Sequence, residues 1–116
     1  MVTYTGKEFY PLDPNPADID IKDIAHALSN CCRFAGHIKS FYSVAQHSVI
    51  VSELCEPENA LAGLLHDASE AYLSDIARPV KYTEQMEGYR LRLHSRAGWF
   101  AISRIRYTSN QANLWS

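Results

Sequence analysis

Residues 58–75, ENALAGLLHDASEAYLSD, carry the pattern that decides the fold. Wound at ~3.6 residues per turn, Leu61, Leu64, Leu65, Ala68 and Tyr72 fall on one face, the spacing of an apolar stripe that packs into a core. The opposite face holds Gly63, His66, Asp67 and Glu70. One small residue, one imidazole and two carboxylates stand where a solvated surface helix would carry long lysines and glutamates. The spacing therefore predicts one helix whose polar side lies against something small, polar and positively charged.

Working outward, a preceding helix is predicted over 44–55, with Ser43 at its N-cap. There Val44, His47, Val51 and Leu54 follow the helical period and put His47 on the inward stripe. An imidazole in such a place needs a partner, either a backbone group or a metal ion if a second imidazole and a carboxylate approach from a neighbouring helix. The link Glu56, Pro57, Glu58 and Asn59 is short, so the two helices are expected to pack antiparallel.

Imidazole nitrogens and carboxylate oxygens together bind divalent ions such as zinc, manganese, cobalt, iron or magnesium. Neighbouring helical residues diverge by ~100°, so His66 and Asp67 can straddle one ion only if a third ligand closes the site. His47 is the natural candidate. Glu70, one turn further along the same face, can orient or deprotonate a water at that ion. Asp75, near the helix end, can bind a second ion or handle the proton of a leaving group. Arg33, Arg78 and Lys81 would then meet a phosphate, arginine being favoured wherever two oxygens are gripped at once. A chance His-Asp pair and a solvated acidic face would explain these residues one at a time; the set taken together points to a metal-dependent hydrolase.

The remaining segments frame this pair of helices. Residues 1–12 place Thr3, Tyr4, Thr5, Phe9 and Tyr10 around Gly6, a composition that predicts a short hairpin or extended arm. DPNPAD at 13–18 reads as an irregular connection. Asp20 then sits where an N-cap belongs, and Ile21, Ile24, Ala25 and Leu28 form a helical stripe ending near Ser29 and Asn30, with His26 off the stripe. CCRFAGHIKSFYS at 31–43 lacks periodicity and reads as a loop that brings Arg33, His37 and Lys39 within seven residues, enough to hold an anion. Beyond Asp75, Pro79 is expected to break the helix, and Thr83 to cap a third long helix carrying Met86, Tyr89, Leu93 and Ala97.

The totals set limits. With 116 residues, 47% of them hydrophobic, one domain with one core is expected. A net charge of −2 gives no global basic field, so a nucleic-acid polymer is not an expected partner. Three cysteines in no metal-binding spacing predict a reducing, cytoplasmic setting and small buried hydrophobes. No apolar run approaches the ~18 residues of a membrane span. Charge is uneven: six lysines and arginines stand against thirteen acidic residues up to Glu87, after which come five arginines and no acid.

FYSVAQHSVIVSEL at 41–54, followed by LLHDASEAYLSDIARPVK at 64–81, resembles the HD-domain metal-dependent phosphohydrolases, most closely the small branch of 5′-deoxynucleotidases and phage-type deoxynucleoside triphosphate hydrolases. The resemblance covers roughly residues 19–81. It implies an all-α, HD-domain-like helical bundle with an extended arm over 1–18, a metal-site core over 19–87 and an atypical basic segment over 88–116. By the same resemblance His47, His66 and Asp67 would hold the divalent ion, Glu70 would activate the attacking water and Asp75 would serve as the acid near the leaving group. Arg33 would hold the substrate phosphate, while for Arg78, Lys81 and His37 only nearness to the site is implied. The expected substrate is a small (deoxy)nucleotide, and a homodimer is compatible with the family. The chain departs from the pattern at one point. The family's signature closes with a downstream aspartate, whereas no acidic residue follows Glu87 and only His94 lies near the expected place. Set against the resemblance, the composition change near Gly88 reads as a lost or replaced segment, and a remnant that binds metal or nucleotide without turnover is the alternative reading.

Overall fold

The computed structural model describes residues 1–88, and these form an all-α unit. Helix α1 spans Ile21–Asn30, α2 Val44–Leu54, α3 Ala60–Leu65, α4 Glu70–Leu73 and α5 Arg78–Lys81. Both predicted caps are present. The Asp20 carboxylate accepts from the Lys22 N–H, and Ser43 and Gln46 form a reciprocal capping box at the start of α2. These local bonds fix where α1 and α2 begin.

The core gathers Ile21, Ile24, Ala25 and Leu28 from α1, Val44 and Ala45 from α2, and Leu64, Leu65 and Ala68 from the third segment. Ile24 and Leu28 are completely buried, each stabilising the fold by roughly 1.5–3 kcal/mol through removal of apolar surface from water. The N-terminal arm is a tight hairpin turned at Gly6 (φ 86°) and closed by one antiparallel bridge between Val2 and Glu8. Its buried Phe9 stacks on Tyr72 with ring centroids 4.1 Å apart. Thr5 pins the arm to α1, its N–H and Oγ donating to the buried Asp23 carboxylate at 2.7 and 2.9 Å.

The reading of 58–75 as one helix is corrected. Residues Pro57–Asn59 form a 3₁₀ turn and α3 ends at Leu65. From there the hydrogen bonds tighten to i→i−3, from Ala68 to Leu65, Glu70 to Asp67, Ala71 to Ala68 and Tyr72 to Ser69. The cause is local: His66 Nδ1 lies 2.6 Å from the Gly63 carbonyl oxygen, so the imidazole occupies an acceptor that a continuing α-helix would give to a backbone N–H. Leu64, Leu65, Ala68 and Tyr72 keep their inward placement, while Leu61 lies at the surface.

Three more expectations change. Leu54 is 82% exposed, and the buried face of α2 runs through Val44, Ala45 and Ser48, because α2 meets α1 on that side. Pro79 does not end the earlier helix, which stops at Leu73, where Ser74 turns left-handed (φ 61°); the proline lies in the first turn of α5, where its missing N–H costs nothing. Thr83 flanks a 3₁₀ turn at Glu84–Met86 without capping it, since its hydroxyl donates to the Val80 carbonyl. Tyr89, Leu93, His94, Ala97 and the basic segment lie outside the described residues. Among the described residues no helix is long and apolar enough to cross a membrane.

Candidate metal centre

Helices α2 and α3 approach closely because of Gly63. A Cβ there would lie 2.8 Å from Cys55 Sγ and 3.3 Å from Ser52 Cα, so only glycine lets the two backbones meet. Ser52 Oγ donates across the same contact to the Ala60 carbonyl at 2.7 Å. The contacts run in opposite directions along the two segments, which makes the helices antiparallel, and they bring His47 opposite His66 and Asp67. Gly63 therefore belongs to the helix contact and not to an open polar face. Its periodicity alone could not reveal this; a glycine inside a helix pattern was the available signal.

Three ligand atoms converge. His47 Nε2 lies 3.3 Å from His66 Nε2 and 3.5 Å from Asp67 Oδ2, and His66 Nε2 lies 2.9 Å from the same oxygen. Bonds of ~2.0–2.2 Å give neighbouring ligand atoms separations of about 2.8–3.1 Å around a six-coordinate ion and about 3.3–3.6 Å around a four-coordinate one, so the three edges lie in the range of a coordination face. The donor chemistry agrees. A carbonyl only accepts, so His66 Nδ1 carries the proton shared with Gly63 O, and the Nε2 of the neutral ring presents its lone pair to the cluster. Burial and then the Arg33 guanidinium hold the His47 imidazole below its ordinary 6.5, with Asp67 pulling the other way and His66 reinforcing the lowering. Two imidazole nitrogens and a carboxylate oxygen this close call for a proton or a metal ion between them. Among the described residues these three form the group able to hold a metal ion.

Glu70 stands beside this group. Its carboxyl is pushed up from 4.5 to about 7, first by burial, then by the negative charges of Asp67 and Asp75, with Lys81 and Arg33 opposing. A carboxyl near neutrality can both accept and return a proton. Asp75 is exposed and reaches Lys81 Nζ at 4.0 Å. Arg33 is held by backbone pairing that the sequence reading of 31–43 as a plain loop did not foresee: its N–H donates to the Tyr42 carbonyl at 2.8 Å, Cys32 bridges Ser43, and Val44 N–H donates to Cys31 O. The Arg33 charge is felt at both His47 and Glu70, and Glu70 in turn feels Asp67, Asp75 and Lys81, so these groups are linked electrostatically to the triangle. Arg78 is exposed and forms no ion pair among the described residues, and His37 and Lys39 also lie in solvent. The cysteines are unpaired and half-buried, and Cys31 packs against the core.

No family model matches the chain. The Escherichia coli K12 protein YfdR is 56% identical over 79 residues, covering 68% of this chain and 44% of the relative. The Rhodobacter capsulatus protein RCAP_rcc00048 is 39% identical over 113 residues, covering 84% of this chain and 58% of the relative. Both relatives are named as uncharacterized proteins, so the likeness carries no activity. The chain spans about half the length of the curated relatives it matches.

Proposed function

We propose that the protein is a metal-dependent phosphohydrolase acting on phosphate esters or anhydrides of (deoxy)nucleotides, in the manner of the HD-domain enzymes its sequence resembles. The observation that carries this reading is the convergence of His47 Nε2, His66 Nε2 and Asp67 Oδ2 at 2.9–3.5 Å. His47, His66 and Asp67 would hold the ion, which when bound supplies a Lewis acid for a phosphoryl oxygen and lowers the pKa of water. Arg33 grips the phosphate oxygens, and its buried Nε has no protein partner among the described residues. The Glu70 carboxylate takes the proton of the attacking water as the new oxygen–phosphorus bond forms. The old bond breaks on the leaving side, where Asp75 at the exposed edge handles the proton of the departing oxygen and Lys81 steadies the charge, with the exposed Arg78 at the start of α5 as a further cation for the phosphate. The native metal is one of manganese, cobalt, zinc, iron or magnesium.

The test is phosphate release from deoxynucleoside mono- and triphosphates with each metal in turn. Activity that needs metal and disappears in His66→Ala and Asp67→Ala supports the assignment, and hydrolysis untouched by both substitutions removes it. One observation favours a second reading, a module that binds metal or nucleotide without turnover: residues 88–116 carry five arginines and no acidic residue. Saturable metal or nucleotide binding without hydrolysis would select it.

A further inference from the structure

The loop after α1 holds the most constrained backbone among the described residues. Phe34 (φ 57°, ψ 35°) and Ala35 (φ 52°, ψ 27°) are both left-handed without being glycine, and Gly36 follows at φ 84°. Left-handed residues with a Cβ persist only where their surroundings impose them, and they gather at ligand clamps and active sites. Burial does not explain this one, because Phe34 is 64% exposed. What its ring does meet is the Arg33 guanidinium, whose Cζ lies 4.9 Å from the ring centroid. That guanidinium has a buried Nε with no partner among the described residues, and its charge is felt at both His47 and Glu70. Its charge thus reaches the candidate metal centre while its Nε–H stays uncommitted among the described residues. A long cationic side chain loses rotamer freedom when it grips an anion, and an aromatic face that fixes it beforehand reduces that loss.

We propose that Phe34 is a positioning residue: its ring, set in place by the left-handed turn, holds the Arg33 guanidinium aimed at an anionic phosphoryl group beside His47, His66 and Asp67. This rests on the phosphohydrolase reading and specifies how that site grips its substrate. Leucine at position 34 has the same backbone preferences and lacks only the ring face, and the side chain's exposure makes the substitution safe for folding.

The test compares the full chain with Phe34→Leu, Phe34→Tyr, Arg33→Ala and the double variant Arg33→Ala/Phe34→Leu. The first readout is the Arg33 Nε–H resonance: a ring-current-shifted, motionally restricted signal in the native protein and in Phe34→Tyr, lost in Phe34→Leu. The second is titration with inorganic phosphate in the presence of metal. Phe34→Leu weakens binding about three- to tenfold, Phe34→Tyr restores it, metal affinity stays unchanged, and in the Arg33→Ala background the leucine substitution has no further effect. A mobile Arg33 Nε–H in the native protein, or an equal loss from Phe34→Leu with Arg33 absent, overturns the proposal. A restricted guanidinium in a native protein that binds no phosphate supports the Arg33–Phe34 pairing and overturns the phosphohydrolase reading instead.

Discussion

Replacing Glu70 by glutamine in metal-free protein gives a stability difference that grows with pH. The carboxyl has an ordinary value of 4.5 and is pushed up to about 7 in the fold, so the native state binds its proton more tightly than the unfolded chain. Below pH 4.5 both states are protonated and burial of Glu70 carries no charge. As pH rises through 7 the native state must hold a half-buried carboxylate beside Asp67 and Asp75, and stability falls by about 1–2 kcal/mol once solvent screening of the exposed part is allowed for. Glutamine has the same shape and no charge, so Glu70→Gln should match the native protein near pH 4.5 and exceed it by about 1–2 kcal/mol at pH 8. His47 acts in the opposite sense, its lowered value favouring the fold above 6.5 and costing stability as pH falls through its folded value. Both proteins share His47, so subtracting one denaturation curve from the other cancels it. The assay is urea unfolding at pH 4.5, 6, 7 and 8 with chelator present, because a bound cation would draw the Glu70 value down. A difference that stays flat across this range would refute the buried, charge-crowded environment argued for Glu70.

Metal added to ~100 times its dissociation constant should stabilise the native protein by about 2.7 kcal/mol in thermal unfolding; His66→Ala and Asp67→Ala should abolish the shift, and identical melting with metal and with chelator would mean that the triangle holds none. Gly63→Ala should cost about 1–3 kcal/mol by overpacking, since the new methyl meets Cys55 Sγ at 2.8 Å and Ser52 Cα at 3.3 Å. Adding Cys55→Ala should recover only part of that loss in urea unfolding, because the backbone contact remains. Thr5→Val removes the 2.9 Å hydroxyl donor to the buried Asp23 carboxylate and should lower stability by about 1–3 kcal/mol, with faster proteolysis of the arm as a second readout.

What the sequence disclosed and what it hid divide along a physical line. The starts of α1 and α2 were legible because Asp20 and Ser43 act on N–H groups two or three residues away. The ligand triangle was legible because His47 and His66-Asp67 lie on consecutive segments joined by a short link, which leaves few ways to pack them. The break after Leu65 was hidden, since it depends on a ring nitrogen choosing a backbone carbonyl, and no hydrophobic period records that choice. The buried anchor at Asp23 was hidden for a similar reason: its partner, Thr5, lies 18 residues away on an arm with little pattern of its own. Leu54 was misplaced because its helix turns its core face toward α1 as well as α3, and a periodicity count sees only one direction.

By handing the Gly63 carbonyl to the ring of His66, the third segment couples the order of its own turn to the orientation of one imidazole. Anything that clasps the far nitrogen of that ring also braces the peptide groups from 66 to 73, with no new backbone contact required. Slowed amide exchange over those eight residues would then register occupancy of the site directly, without a substrate and without a dye.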